Sequence, residues 1–154
     1  MKELAINGGK PVFEKKIGYG HQYIDDADIR AVVDVLKSDF LTCGPKIDEA
    51  EAKLCEVTGA KHAVLIANGT AALHAAAYAA GISPGDEVIT TPITFVASAN
   101  CALYCGGIPV FADINPETYN IDPDDIERKI TDKTKAVVAV DFTGQAVEID
   151  RIRE

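Results

Sequence analysis

From His62 onward one pattern recurs: a short run of consecutive apolar residues, a polar break, then a longer run with helical spacing. The short runs are 62–67 (HAVLIA), 87–91 (EVITT), 108–114 (IPVFADI) and 135–142 (KAVVAVDF). A strand that is apolar at successive positions presents side chains to both of its faces, so both faces must be covered. The intervening stretches 70–80, 95–106 and 123–130, the last capped by Asp122, supply that cover as helices. This combination restricts the chain to an α/β architecture, a mostly parallel sheet with helices on both faces. The order of the strands is not specified by it.

The first 59 residues read differently. Residues 1–24 are irregular, broken by Gly8-Gly9, Pro11, Gly18 and Gly20. Residues 25–39 predict a helix capped by Asp25 or Asp26, with Ile29, Val32, Val33 and Leu36 on one face. Gly44-Pro45 forces a loop at 40–46, and 47–59 predicts a second amphipathic helix closed by Gly59. The expected division is an N-terminal part, 1–59, and an incomplete α/β cofactor-binding part, 60–154. A chain of 154 residues has room for a real core, burying about 70% of its unfolded surface.

Composition narrows the partners. The chain has 24 acidic and 15 basic side chains, a formal net charge of −9. No basic excess exists to neutralise phosphates, which argues against a nucleic acid or an anionic membrane. No apolar run approaches the ~20 residues that span a bilayer. The N-terminus lacks the apolar core of a secretory signal, so the expected location is the cytoplasm. Cys43, Cys55, Cys101 and Cys105 form no C-x-x-C pair and no metal-like cluster with His21, His62 or His74. They read as reduced thiols, and no metal site is expected.

Three corners between strand and helix carry possible chemistry. In VLIANGTAALHAAA (64–77) an apolar run enters an alanine-rich helix through Asn68-Gly69-Thr70. A helix N-terminus offers unpaired N–H groups and a partial positive charge, which suits a phosphate. Gly69 lets a ligand approach the backbone, and the Thr70 hydroxyl either caps the helix or donates to a phosphate oxygen. A plain turn with Asn68 or Thr70 as cap fits the same residues equally well. The corner is neither G-x-G-x-x-G nor G-x-x-x-x-G-K-[ST]. Phe95, beyond the Thr91-Pro92 break, is placed to lie on a planar ligand at a strand's carboxyl end, or else to fill the core. Asp141, Thr143 and Gln145 follow the last strand as site residues or as a solvated loop. In FLTCGPK (40–46), Thr42 and Lys46 read on residue chemistry alone as solvated.

Taken in order, LKSDFLTCGPKIDEAEAKL, AVLIANGTAALHAA, GDEVITTPITFVASANCALYCGGIPVFADI and TKAVVAVDFTGQAVEID resemble the N-terminal part of the DegT/DnrJ/EryC1/StrS sugar aminotransferases. The resemblance covers nearly the whole chain. It implies a fold-type I enzyme dependent on pyridoxal phosphate, of which this chain forms the N-terminal part of the large domain. It assigns Gly69, Thr70 and Ala71 to the cofactor phosphate and Phe95 to the pyridine ring. Thr42 and Gly44 fall near the substrate end. TTPITFVASAN with VDFTGQAVEID is most similar to the pseudaminic-acid branch, which aminates a UDP-linked 4-keto-6-deoxy-N-acetyl sugar at C4.

The resemblance also implies what the 154 residues lack. The family's Schiff-base lysine lies in a later segment, and its E-D-x-A-H aspartate is absent. Lys129, Lys133 and Lys135 match neither motif. The expectation is therefore a transaminase fragment that carries no catalytic residue and is inactive alone. Within the whole enzyme an amino-acid donor (glutamate in most of the family) would supply the amine to a nucleotide-linked keto-sugar, in a homodimer. Two other readings compete: a non-catalytic phosphate or nucleotide-binding module, and an α/β scaffold without a ligand.

Overall fold

The computed structural model describes residues 3–15 and 18–153. Of the irregular stretch 1–24, Met1, Lys2, Lys16 and Ile17 lie outside the described residues, as does Glu154. The chain divides into two compact units, Met1–Ala63 and Val64–Glu154.

The first unit contains a 3₁₀ turn at Ala5–Asn7, helix α1 (Asp26–Leu36) and helix α2 (Pro45–Thr58). Asp25 caps α1 by accepting from the amides of Ala27 and Asp28, while Asp28 accepts from the amide of Asp25, a reciprocal capping box. The expected loop 40–46 ends two residues early: Pro45 does not break the chain but opens α2, since a missing N–H costs nothing at the first helical position, and Gly59 closes the helix in the left-handed region. The predicted apolar face of α1 forms but is not buried: Ile29, Val32, Val33 and Leu36 are all exposed. Helical spacing fixes which residues share a face, and a face is buried only where something packs on it. None of the described residues of this unit is buried.

The second unit runs α3 (Gly69–Ala79), β1 (Glu87–Thr90), α4 (Ala97–Tyr104), β2 (Ile108–Phe111), α5 (Pro123–Lys129), β3 (Thr134–Val138) and α6 (Ile149–Arg153). The sheet is parallel with strand order β2-β1-β3. Thr90 pairs with Phe111 on one side and with Val138 on the other, and its hydroxyl donates to the Val138 carbonyl at 3.0 Å. The central strand is enclosed beyond its first residue, with Val88, Ile89 and Thr90 at most 1% exposed.

Side-chain alternation along β1 separates two cores. Val88 packs with Ala77, Ile82, Cys101 and Ala102, joined by Leu73, Cys105, Ala136 and Val138. Ile89, pointing the other way, packs with Ala112, Ile121 and Ile126, joined by Val137, Val147 and Ile152. Helices α3 and α4 thus cover one face while α5 and α6 cover the other, the two-sided sheet read from the apolar runs. Cys101 donates to the Ser98 carbonyl at 3.2 Å, and all four thiols are free. Burial pushes the Cys101 thiol above its ordinary value, which suppresses the thiolate.

One predicted strand does not form. Residues 62–67 are assigned to no strand, and Val64, Leu65 and Ile66 are exposed. Both edges of β1 are already taken by β2 and β3. An apolar run specifies burial, but a strand also needs a neighbouring backbone in register. The remaining strands are shorter than their apolar runs, because ladder bonds end before hydrophobicity does.

Candidate functional site

Chain direction gathers the three corners at one edge of the sheet. Helix α3 ends at Ala79 and reaches the start of β1 through a tight turn in which the Asp86 amide donates to the Ser83 carbonyl. So α3 runs antiparallel to β1, and its N-terminus lies toward the carboxyl edge. Phe95 sits in the loop leaving β1, and residues 139–147 leave the neighbouring β3 at the same edge. From β1 the chain moves outward to β2, then crosses back to the opposite side of β1 as β3. The loops after β1 and β3 therefore diverge to opposite faces, and such a switch point opens a crevice in a parallel sheet.

At the α3 corner, Asn68 is the cap: its side chain accepts from the Ala71 amide at 2.9 Å, and Ala72 donates to the Asn68 carbonyl at 3.0 Å. That arrangement leaves the Thr70 hydroxyl out of capping. It also alters the role of Ala71, whose amide is engaged by Asn68 and not available for an anion while the cap holds. The amides of Gly69 and Thr70 come before the first helical bond and are the ones turned outward. A Cβ built on Gly69 would meet nothing within 4 Å, so the helix start faces open space.

Phe95 is 72% exposed, which removes the core-filling alternative within this chain. Behind it Thr94 and Ser98 share a hydrogen bond of 3.0 Å, and Thr91 accepts from the Ile93 amide at 3.3 Å. These contacts fold the loop back on the start of α4. Asp141, read as either a site carboxylate or a loop start, accepts from the Val147 amide at 2.9 Å and so closes its own loop.

Asn120, between β2 and α5, drew no expectation from the sequence. Its carboxamide is 5% exposed and spans to the segment after β3. Nδ2 donates to the carbonyls of Gln145 (3.0 Å) and Ala146 (3.1 Å), and Oδ1 accepts from the Phe142 amide (2.9 Å). A polar residue flanked by Tyr119 and Ile121 was the available signal, since a buried carboxamide must find partners.

Thr42 and Gly44 belong to the first unit. Gly44 caps α2 with extended backbone, and a Cβ there would come within 2.6 Å of the Phe40 Cβ. Both residues line an open groove of about 310 Å³ together with Phe40, Leu41 and Ile47. Of the lysines in the second unit, Lys133 and Lys135 stand at the entry end of β3, and Lys129 lines a groove with Pro92, Phe111 and Asp125. Among the described residues no group of His, Cys, Asp or Glu could hold a metal, and no helix is long and apolar enough to cross a membrane.

Residues 22–154 match the DegT/DnrJ/EryC1/StrS aminotransferase family. The spore coat polysaccharide biosynthesis protein SpsC of Bacillus subtilis is 46% identical over 134 residues, 87% of this chain and 34% of that protein. Spr1654 of Streptococcus pneumoniae, solved in its PMP form, superposes with a TM-score of 0.85 at 36% identity, covering 90% of this chain and 35% of the other. PseC of Helicobacter pylori, an aminotransferase involved in the biosynthesis of pseudoaminic acid, gives 0.82 at 39% identity, covering 90% and 38%. The chain spans about a third of the length of the relatives it matches.

Proposed function

The chain belongs to the DegT/DnrJ/EryC1/StrS aminotransferase family, and from that we propose that residues 60–154 form the cofactor-phosphate part of a sugar aminotransferase dependent on pyridoxal phosphate. The observation that carries this reading is the carboxyl edge itself. An open helix N-terminus at Gly69-Thr70 and an exposed Phe95 ring lie at one switch point of a parallel sheet.

The residues present fit such a group. The Gly69 and Thr70 amides and the Thr70 hydroxyl would hold the phosphate. Phe95 would cover one face of the ring and keep water from it. Asn68 keeps the helix start rigid by occupying the Ala71 amide. When bound, pyridoxal phosphate supplies an electron sink for amino-group exchange. Thr42 and Gly44 are proposed at the substrate end.

For the whole protein the proposed reaction moves an amino group from an amino-acid donor, glutamate, to a nucleotide-linked keto-sugar. The proposed acceptor is a UDP-linked 4-keto-6-deoxy-N-acetylhexosamine aminated at C4, feeding a surface polysaccharide or glycan. A cytoplasmic homodimer belongs to the same proposal. These 154 residues alone are proposed to be inactive, because none of their lysines matches the family's lysine segment.

Calorimetric titration with pyridoxal phosphate, inorganic phosphate and UDP tests the reading. The expected result is binding of pyridoxal phosphate that weakens in a Thr70→Ala variant. Tight, selective binding of the nucleotide with none of the cofactor would replace the aminotransferase reading with a nucleotide-binding module.

A further inference from the structure

Among the described residues, two non-glycine positions have positive φ: Tyr119 at 61° and Thr143 at 55°. They lie 24 positions apart in sequence, and each adjoins a residue of one contact region, Asn120 after Tyr119 and Phe142 before Thr143. Tyr119 immediately precedes Asn120, and its ring lies 6.3 Å from that of Phe142. Thr143 sits inside the turn that Asn120 grips from both ends, between the Phe142 amide and the Gln145 and Ala146 carbonyls. Side chains rarely adopt this backbone region, and residues held there persist where their surroundings dictate them, often at functional sites.

The gripped turn is the loop that leaves β3, opposite the Phe95 loop across the switch point. Phe142 is half-buried, while Thr143, Gly144, Gln145 and Ala146 are exposed. The loop is also closed on itself: the Asp141 carboxylate accepts from the Val147 amide, the Asp141 carbonyl from the Gly144 amide, and the Phe142 carbonyl from the Gln145 amide and the Thr143 hydroxyl. Asn120 ties it, through a buried polar side chain, to the segment between β2 and α5.

We propose that Asn120 is a positioning residue for the site: its buried carboxamide sets the 141–147 loop as one wall of the cofactor crevice. This rests on the aminotransferase reading. The carboxamide is suited to the task because the two hydrogens of one nitrogen serve two carbonyls while its oxygen serves an amide. A carboxylate of equal size keeps the acceptor but loses both donors and faces two carbonyl oxygens.

The test uses Asn120→Asp in the full-length protein, beside Ile82→Val as a control that thins the other core without touching this loop. Affinity for pyridoxal phosphate and the circular dichroism of the bound cofactor at saturation are the readouts. Asn120→Asp is expected to weaken binding about tenfold and to change the dichroic band, with faster amide exchange at 142–147. Ile82→Val, at similar melting temperature, is expected to leave both cofactor signals as in the wild type. A wild-type band and affinity in Asn120→Asp, or equal changes in the control, would overturn the positioning role alone. A wild-type protein that binds no cofactor would overturn the functional reading, and this one with it.

Discussion

Replacing Gly69 by alanine separates a glycine kept for the fold from one kept for a ligand. The added methyl meets no atom within 4 Å, so nothing in the structure opposes it. Gly69 is the first residue of α3, and alanine is favoured over glycine in a helix by up to about 1 kcal/mol. The bare protein should therefore melt at the same temperature or up to roughly 4 °C higher. In a helix, Cβ leans toward the N-terminus, so the methyl projects into the space above the Gly69 and Thr70 amides. A phosphate oxygen held there would lose one charge-assisted hydrogen bond, about 1.5–3 kcal/mol, or roughly ten- to a hundredfold in affinity. Thermal melting without ligand and titration with pyridoxal phosphate give the two numbers. Lower melting, or unchanged affinity, would refute the argument that this glycine serves an anion.

Asn68→Asp should preserve the α3 cap and leave melting within about 0.5 kcal/mol of wild type, yet weaken phosphate binding by placing a carboxylate beside it; equal affinity in the two proteins would contradict this. Phe95→Ala should leave melting unchanged, since the ring is 72% exposed, while pyridoxal phosphate binds about three- to tenfold more weakly by calorimetry for loss of a stacked face. The pH dependence of stability should show Asp125. The Asp113 amide, and then Arg128, hold its carboxyl below the usual 3.8. A depressed folded-state value means the stabilisation is present above about pH 4 and fades as acid protonates the folded form. Asp125→Asn should accordingly be less stable at neutral pH and show a shallower acid limb in urea titrations; an unchanged limb would show that Asp125 contributes nothing to it.

How far the sequence disclosed the molecule depends on whether a feature is local. The Asp25 cap, the Gly59 stop and the Asp122 cap are each satisfied within four residues of chain, and all are readable in advance. The three strands of the sheet were readable for a similar reason: Val88 and Ile89 announce two covered faces without reference to any partner. The Asn68-Gly69-Thr70 corner was readable as chemistry and ambiguous as geometry. Asn68 and Thr70 compete for the same cap, and the folded chain gives it to Asn68.

What the sequence by itself determined is the helices and the three strands that do form, their polarity and the two-faced sheet, because these follow from periodicity and end chemistry. Strand order, and with it the switch point beside β1, was decided only by tertiary structure, since pairing depends on backbones that are distant in the chain. The same cause explains the two surprises. Residues 62–67 are apolar enough for a strand but join no ladder. Asn120 looks like an ordinary loop residue until the segment after β3 folds onto it, 22 to 26 residues away, and turns its carboxamide into a buried tether.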